Sequence, residues 1–159
     1  MRTRHLAYLW WVCLLWWSSS HLVMAAPLRV VTLSSDSTEA MLALGITPVG
    51  ASRTLEGNPW PPHLQSLMQG VTVVGLEGNP NLELIASLQP DLILGSRQQL
   101  ARLQGVLALM APTTLVKDSR MHWQQNFLRY SEAAGRAEQG AQRLASVQQR
   151  IRCLRSALA

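Results

Sequence analysis

The order of apolar runs along the chain predicts an α/β fold: a mostly parallel sheet with helices on both faces, followed by the start of a long helix. Three observations carry this. Short apolar runs of strand length recur at 28–33, 46–52, 71–75, 91–96 and 113–116. Stretches with helical spacing of apolar residues separate most of them, joined by short links. From Trp123 onward the spacing is helical, broken near Gly135.

Each element has its own local reason. LRVVTL (Leu28–Leu33) is apolar and rich in β-branched residues, as a strand buried on both faces requires. The following SSDS supplies candidate N-caps, Ala40, Met41 and Leu44 share one helical face, and Gly45 is a natural stop. A second strand runs through Ile46–Ser52, where Pro48 predicts either a sheet edge or a strand start. Residues 53–62 hold Gly57, Pro59, Pro61 and Pro62 and read as an irregular loop. Val71–Gly75 is the third strand. Asn79 then reads as a helix cap with Pro80 at the first helical position and Leu82, Ile85 and Leu88 facing inward. Pro90 ends that helix and DLILGS forms the fourth strand. A helix through QQLARLQGVLALMA is weakened by Gly105, and Pro112 precedes the fifth strand, TTLV. On the final helix, Leu144, Val147, Ile151, Leu154 and Leu158 make a narrow apolar seam, with Arg143, Arg150, Arg152 and Arg155 on the other faces.

The N-terminal residues 1–25 read as a cleavable export signal: Arg2 and Arg4, a charge-free run from Leu6 to Trp17, then small residues up to Ala25. That run is short of the roughly 20 apolar residues that span a bilayer. Cys13 follows a valine rather than the small residue of a lipoprotein signal, so a lipid anchor is not expected. Of 14 basic residues two precede position 26, while all 9 acids follow it, so the remainder carries 12 − 9 = +3. A hydrophobic fraction of 48% excludes a disordered chain, and two cysteines exclude a disulfide scaffold. Past the signal only Cys153 remains, and His63 and His122 lie far apart, so no protein-ligated metal and no cofactor are expected. The sequence has no nucleophile elbow, phosphate loop or dinucleotide fingerprint. An enzyme is therefore not expected. The arginine-rich end holds one acid, Glu138, but export and the mild charge of the rest weigh against a nucleic-acid partner.

The segments APLRVVTLSSDSTEAMLALGITPVGAS, VVGLEGNPNLELIASLQPDLILGS and LMAPTTLV resemble the substrate-binding proteins of bacterial iron-siderophore and cobalamin ABC importers. The resemblance implies an N-terminal lobe of a two-lobed periplasmic binding protein over residues 26–135. Residues 136–159 would begin the long inter-lobe helix, with the C-terminal lobe absent from this chain. It also implies a monomer in the periplasm that delivers a ferric siderophore to an ABC permease in the inner membrane. Ferric citrate is the first ligand expected. Cobalamin, or a truncated remnant that binds nothing, are the alternatives.

A chelated ferric ion offers its carrier an anionic surface, which arginine meets with paired charge-assisted hydrogen bonds. Three arginines fall where loops should follow strand ends: Arg53, Arg97 and Arg120. GSRQQL and VKDSRMHW are similar to the citrate-binding branch, which places Arg97 first. Trp60, the aromatic of the proline-rich loop, is expected either to stack on a planar ligand group or to pack over Pro61 and Pro62. Glu77 follows the third strand, where an acid would repel an anionic ligand; this weighs against hydroxamates. At Glu83 the resemblance implies a carboxylate that docks onto permease arginines.

Overall fold

The computed structural model describes residues 26–54, 59–117 and 122–158. The predicted export signal and Arg120 lie outside them. Among the described residues, six strands form one sheet in the order β4-β3-β2-β1-β5-β6. β1 (Val30–Thr32) is fully buried and pairs in parallel with β2 (Gly50–Arg53) on one side and β5 (Leu92–Ser96) on the other. Val31 thus faces Gly50 and Ile93 at once. β3 (Thr72–Leu76) continues the parallel set beyond β2, and β6 (Thr113–Val116) beyond β5.

Helices cover both faces, as strands apolar on both sides demand. On one face Ala40 and Met41 of α1 (Ser35–Ala43) and its C-cap Leu44 pack with Val30, Leu92 and Leu94, together with Tyr130 of α5 (Trp123–Ala133) and its C-cap Ala134. On the other, Ile85 of α2 (Leu82–Ser87), Leu100 of α3 (Arg97–Leu100) and Leu107 of α4 (Gln104–Met110) pack on Val31, Leu33, Val74 and Ile93. Full burial of one such side chain contributes about 1.5–3 kcal/mol.

Local chemistry explains most boundaries. Ser34 caps α1: its backbone N–H donates to Ser37 Oγ at 3.3 Å and its hydroxyl to the same oxygen at 3.0 Å. Gly45 stops the helix at φ +74°. Pro48 lies ahead of β2, an interior strand, so of the two readings of that proline the strand start is the one observed. Gly50 opens β2 because a Cβ there would sit 2.5 Å from Leu88 Cδ1 and 2.8 Å from Val74 Cγ1.

Three expectations change. Asn79 does not cap α2. Asn79 and Pro80 form a short antiparallel β4 against β3, and Asn81 caps instead, its Oδ1 accepting from the Leu84 N–H at 2.9 Å. Gly78, at φ +75°, makes the reversal between β3 and β4. The helix predicted after β5 begins earlier, at Arg97, and is interrupted by a 3₁₀ turn at Ala101–Leu103 rather than at Gly105, which lies within α4. Finally, the long helix α6 (Ala137–Ala157) buries its apolar seam only at its beginning. Leu144 is 8% exposed, but Ile151, Leu154 and Leu158 are 37%, 63% and 87% exposed. No helix among the described residues is long and apolar enough to cross a membrane.

A contact invisible in the local pattern closes α2. Arg29, just before β1, donates from Nε and an Nη to the Leu88 carbonyl at 3.1 and 2.6 Å, satisfying an acceptor at the helix end. α5 and α6 are drawn together at Gly140, where an added Cβ would collide with the side chain of Ser131. Gly140→Ala is therefore expected to destabilise the fold despite the better helix propensity of alanine. Overpacking of this kind costs about 1–3 kcal/mol, read as a lower urea midpoint at unchanged m-value.

Candidate ligand-binding cleft

The sheet order creates a crevice. From β1 the chain winds outward through β2 and β3, then returns to lay β5 against the other side of β1. The loops after β1 and β5 therefore leave in opposite directions, the arrangement at which open parallel sheets bind ligands. A cavity of about 620 Å³ opens there. Its inner end is lined by Ser34 and Ser35 after β1, Glu77 after β3, and Ser96 and Gln99 at the end of β5 and in α3. α1 contributes Asp36, Glu39 and Ala40 to one wall, α5 contributes Trp123, Asn126 and Phe127, and α6 contributes Arg143, Val147 and Arg150.

Glu77 has a structural partner that the sequence did not disclose. Its Oε1 accepts from the Ser35 backbone N–H at 2.5 Å and from the Ser35 hydroxyl at 2.6 Å. It therefore sits on the N-terminus of α1, where unsatisfied N–H groups and the helix dipole favour an anion. Gln99 Nε2 reaches its other oxygen at 3.4 Å. The acid expected to repel an anionic ligand is thus partly engaged by the protein's own donors.

A second anchor lies beneath the cavity. Tyr130, fully buried, directs its hydroxyl to the Gly95 carbonyl at 3.0 Å and to Asp36 Oδ2 at 3.3 Å. It ties α5 to β5 and to the first turn of α1. Asn126 reinforces the same corner by donating to the Lys117 carbonyl at 2.8 Å.

The residues singled out from sequence are distributed around this cavity rather than gathered in it. Arg97 is the first residue of α3, exposed and not among the lining residues of the cavity, with an Nη 3.5 Å from the Leu115 carbonyl of the adjacent β6. Arg53 ends β2 and lines a separate small pocket with Thr54, Trp60 and Pro61. Trp60 is 7% exposed and packs on Ala51, Leu64 and Met68, so its ring is mostly a core element. Arg120 lies outside the described residues. Glu83 is exposed in the first turn of α2. Arg143 and Arg150, assigned from sequence to the faces away from the seam, are the arginines that line the cavity. Their spacing could have found them: Arg143, Val147 and Arg150 recur at helical intervals beside Leu144, the residue that anchors α6. Among the described residues no group of three or more His, Cys, Asp or Glu could hold a metal ion.

The family model of the periplasmic binding proteins matches residues 30–159. The chain belongs to that family. It is 39% identical over 136 residues to the probable siderophore-binding lipoprotein YfiY of Bacillus subtilis (strain 168), covering 86% of this chain and 42% of that protein. It is also 45% identical over 73 residues to the vitamin B12-binding protein of Salmonella typhimurium, covering 46% of this chain and 24% of the relative. Among solved structures it is similar to Staphylococcus aureus SirA complexed with staphyloferrin B. That match has a TM-score of 0.68 at 29% identity and covers 75% of this chain and 40% of SirA. This periplasmic binding protein chain thus spans less than half the length of these relatives.

The Glu77–Ser35 contact is open to a direct check. Glu77→Ala removes two acceptor contacts at the start of α1. It is expected to lower stability by roughly 1–3 kcal/mol in urea unfolding, with Glu77→Gln losing less because an amide oxygen still accepts from Ser35.

Proposed function

We propose that this chain is the N-terminal lobe of the periplasmic solute-binding component of an ABC importer for ferric siderophores, with ferric citrate or a similar carboxylate-type complex as first ligand. One observation carries the reading. In a member of the periplasmic binding protein family, a cavity of about 620 Å³ opens at the carboxyl edge of the sheet, with Arg143 and Arg150 among its lining residues. Cationic side chains around a concavity suit a metal already wrapped in anionic oxygens, so the protein need not ligate the iron itself. No catalytic step is required, and no cofactor. The names of YfiY and SirA's ligand support the siderophore class.

On this reading residues 1–25 direct export to the periplasm, residues 26–135 form the lobe, and 136–159 begin the helix that leads to a second lobe. Arg97, Arg53 and Arg120 would meet the anionic ligand together with the two cavity arginines, and Trp60 would offer at most the edge of its ring. Glu83 would dock on arginines of the inner-membrane permease, to which the protein delivers its ligand as a monomer. An exposed ion pair contributes only about 0.2–1 kcal/mol and more when desolvated at an interface, so docking through few such contacts stays reversible.

The second reading, cobalamin, rests on the 45% identity over 73 residues to a vitamin B12-binding protein. A thermal-shift panel separates the two. Ferric citrate is expected to raise the melting temperature and cyanocobalamin to leave it unchanged; the reverse pattern transfers the chain to vitamin uptake, and no shift with any complex marks a non-binding remnant. Arg150→Ala and Arg97→Ala are each expected to weaken ferric citrate binding about tenfold, the loss of one charge-assisted contact. Glu83→Ala is expected to leave affinity unchanged while lowering permease-dependent uptake in cells.

A further inference from the structure

The inner end of the cavity carries an asymmetry of hydrogen-bonding character. Ser96 is 2% exposed and lines the cavity, and its hydroxyl has no hydrogen-bond partner among the described residues. The side-chain oxygen of Gln99 is also buried without a partner. The orientation of that amide follows from its neighbour: Nε2 points to Glu77 Oε2 at 3.4 Å, and a flipped amide would set its oxygen against the carboxylate. Glu77 Oε1 is already taken by Ser35, so the remaining acceptors are the Gln99 oxygen, Glu77 Oε2 with its long contact to Gln99, and Asp36, which among the described residues accepts from Tyr130 at 3.3 Å. All are acceptors, and the Ser96 hydroxyl serves either way. The Ser35 N–H at the start of α1, which would otherwise attract an anion, is covered by Glu77.

We propose that Ser96, Gln99 and Glu77 form an acceptor subsite for a hydrogen-bond-donating group of the ligand, an amine or amide N–H, whatever the charge of the rest of the complex. The proposal rests on the siderophore-binding reading above and moves its ligand away from ferric citrate, which has no N–H, to a ferric complex that carries a nitrogen donor. Leaving a buried acceptor unpaired is costly, and a site built to hydrogen-bond a ligand group discriminates against the analogue that lacks it.

The test is a nuclear magnetic resonance titration of the ¹⁵N-labelled chain with two diamagnetic gallium(III) complexes: that of desferrioxamine B, which has amide N–H groups and a terminal ammonium, and that of citrate, which has none. Methylammonium is titrated separately. The desferrioxamine complex and methylammonium are expected to move the Gln99 side-chain amide and the Ser96 backbone signal; the citrate complex is expected to leave both in place. Gln99→Leu and Ser96→Ala, each checked for an unchanged melting temperature, are expected to weaken the desferrioxamine complex at least tenfold and the citrate complex less than twofold. Equal loss for both complexes, or an ordered water on Ser96 and Gln99 that persists in a crystal of the desferrioxamine complex, overturns the subsite. If methylammonium moves these signals while neither complex binds, the subsite stands and the siderophore reading falls. If the complexes bind and Gln99 and Ser96 stay silent throughout, the subsite alone falls.

Discussion

Everything at the cleft depends on the parallel pairing of β1 with β5. β1 and β2 are close in sequence and joined by a single helix, but β5 reaches β1 only after the chain has passed through β3, β4 and α2. That return places Val31 between Gly50 and Ile93, with helices on both faces, and buries it completely. It also brings the loop after β1 beside the loop after β5. Without this long-range pairing, Ser34 and Ser35 would have no reason to share a cavity with Ser96 and Gln99.

The second constraint is electrostatic. The beginning of a helix is a ready anion site, and α1 points its beginning at the cleft. A carboxylate from another strand end occupies it: Glu77, held by the Ser35 N–H and hydroxyl. The cleft therefore holds charges of both signs, Asp36, Glu39 and Glu77 lining it together with Arg143 and Arg150 of α6. Arg143 and Arg150 can serve there because α6 is anchored: Gln139 donates to the Leu44 carbonyl at the end of α1, Leu144 is buried, and Gly140 lets α6 approach Ser131 closely. The later part of the α6 seam, from Ile151 to Leu158, is apolar surface left exposed among the described residues.

Much of this architecture was legible in the residues. The strands, the α1 and α2 cores at Met41 and Ile85, the stop at Gly45 and the break at Gly135 follow from side-chain period and from backbone conformations that glycine reaches easily. Such signals act over a few residues, so a linear reading captures them. The misplacement of the α2 cap shows the limit. Asn79 and Asn81 are both good caps, and the choice fell to Asn81 because β3 recruits Asn79 and Pro80 into a hairpin.

The sequence by itself determined the alternation of strands and helices, which faces are apolar, and the family resemblance now matched over residues 30–159. Only the tertiary structure decided which polar residues meet: that Glu77 caps a helix 42 positions away, that Trp60 is mostly core, and that Arg143 and Arg150 rather than Arg53 line the main cavity. The reason is range. Periodicity and capping are set by neighbours along the chain, whereas the partners of a side chain at a strand end are set by sheet order and crossover direction, which no short window of sequence contains.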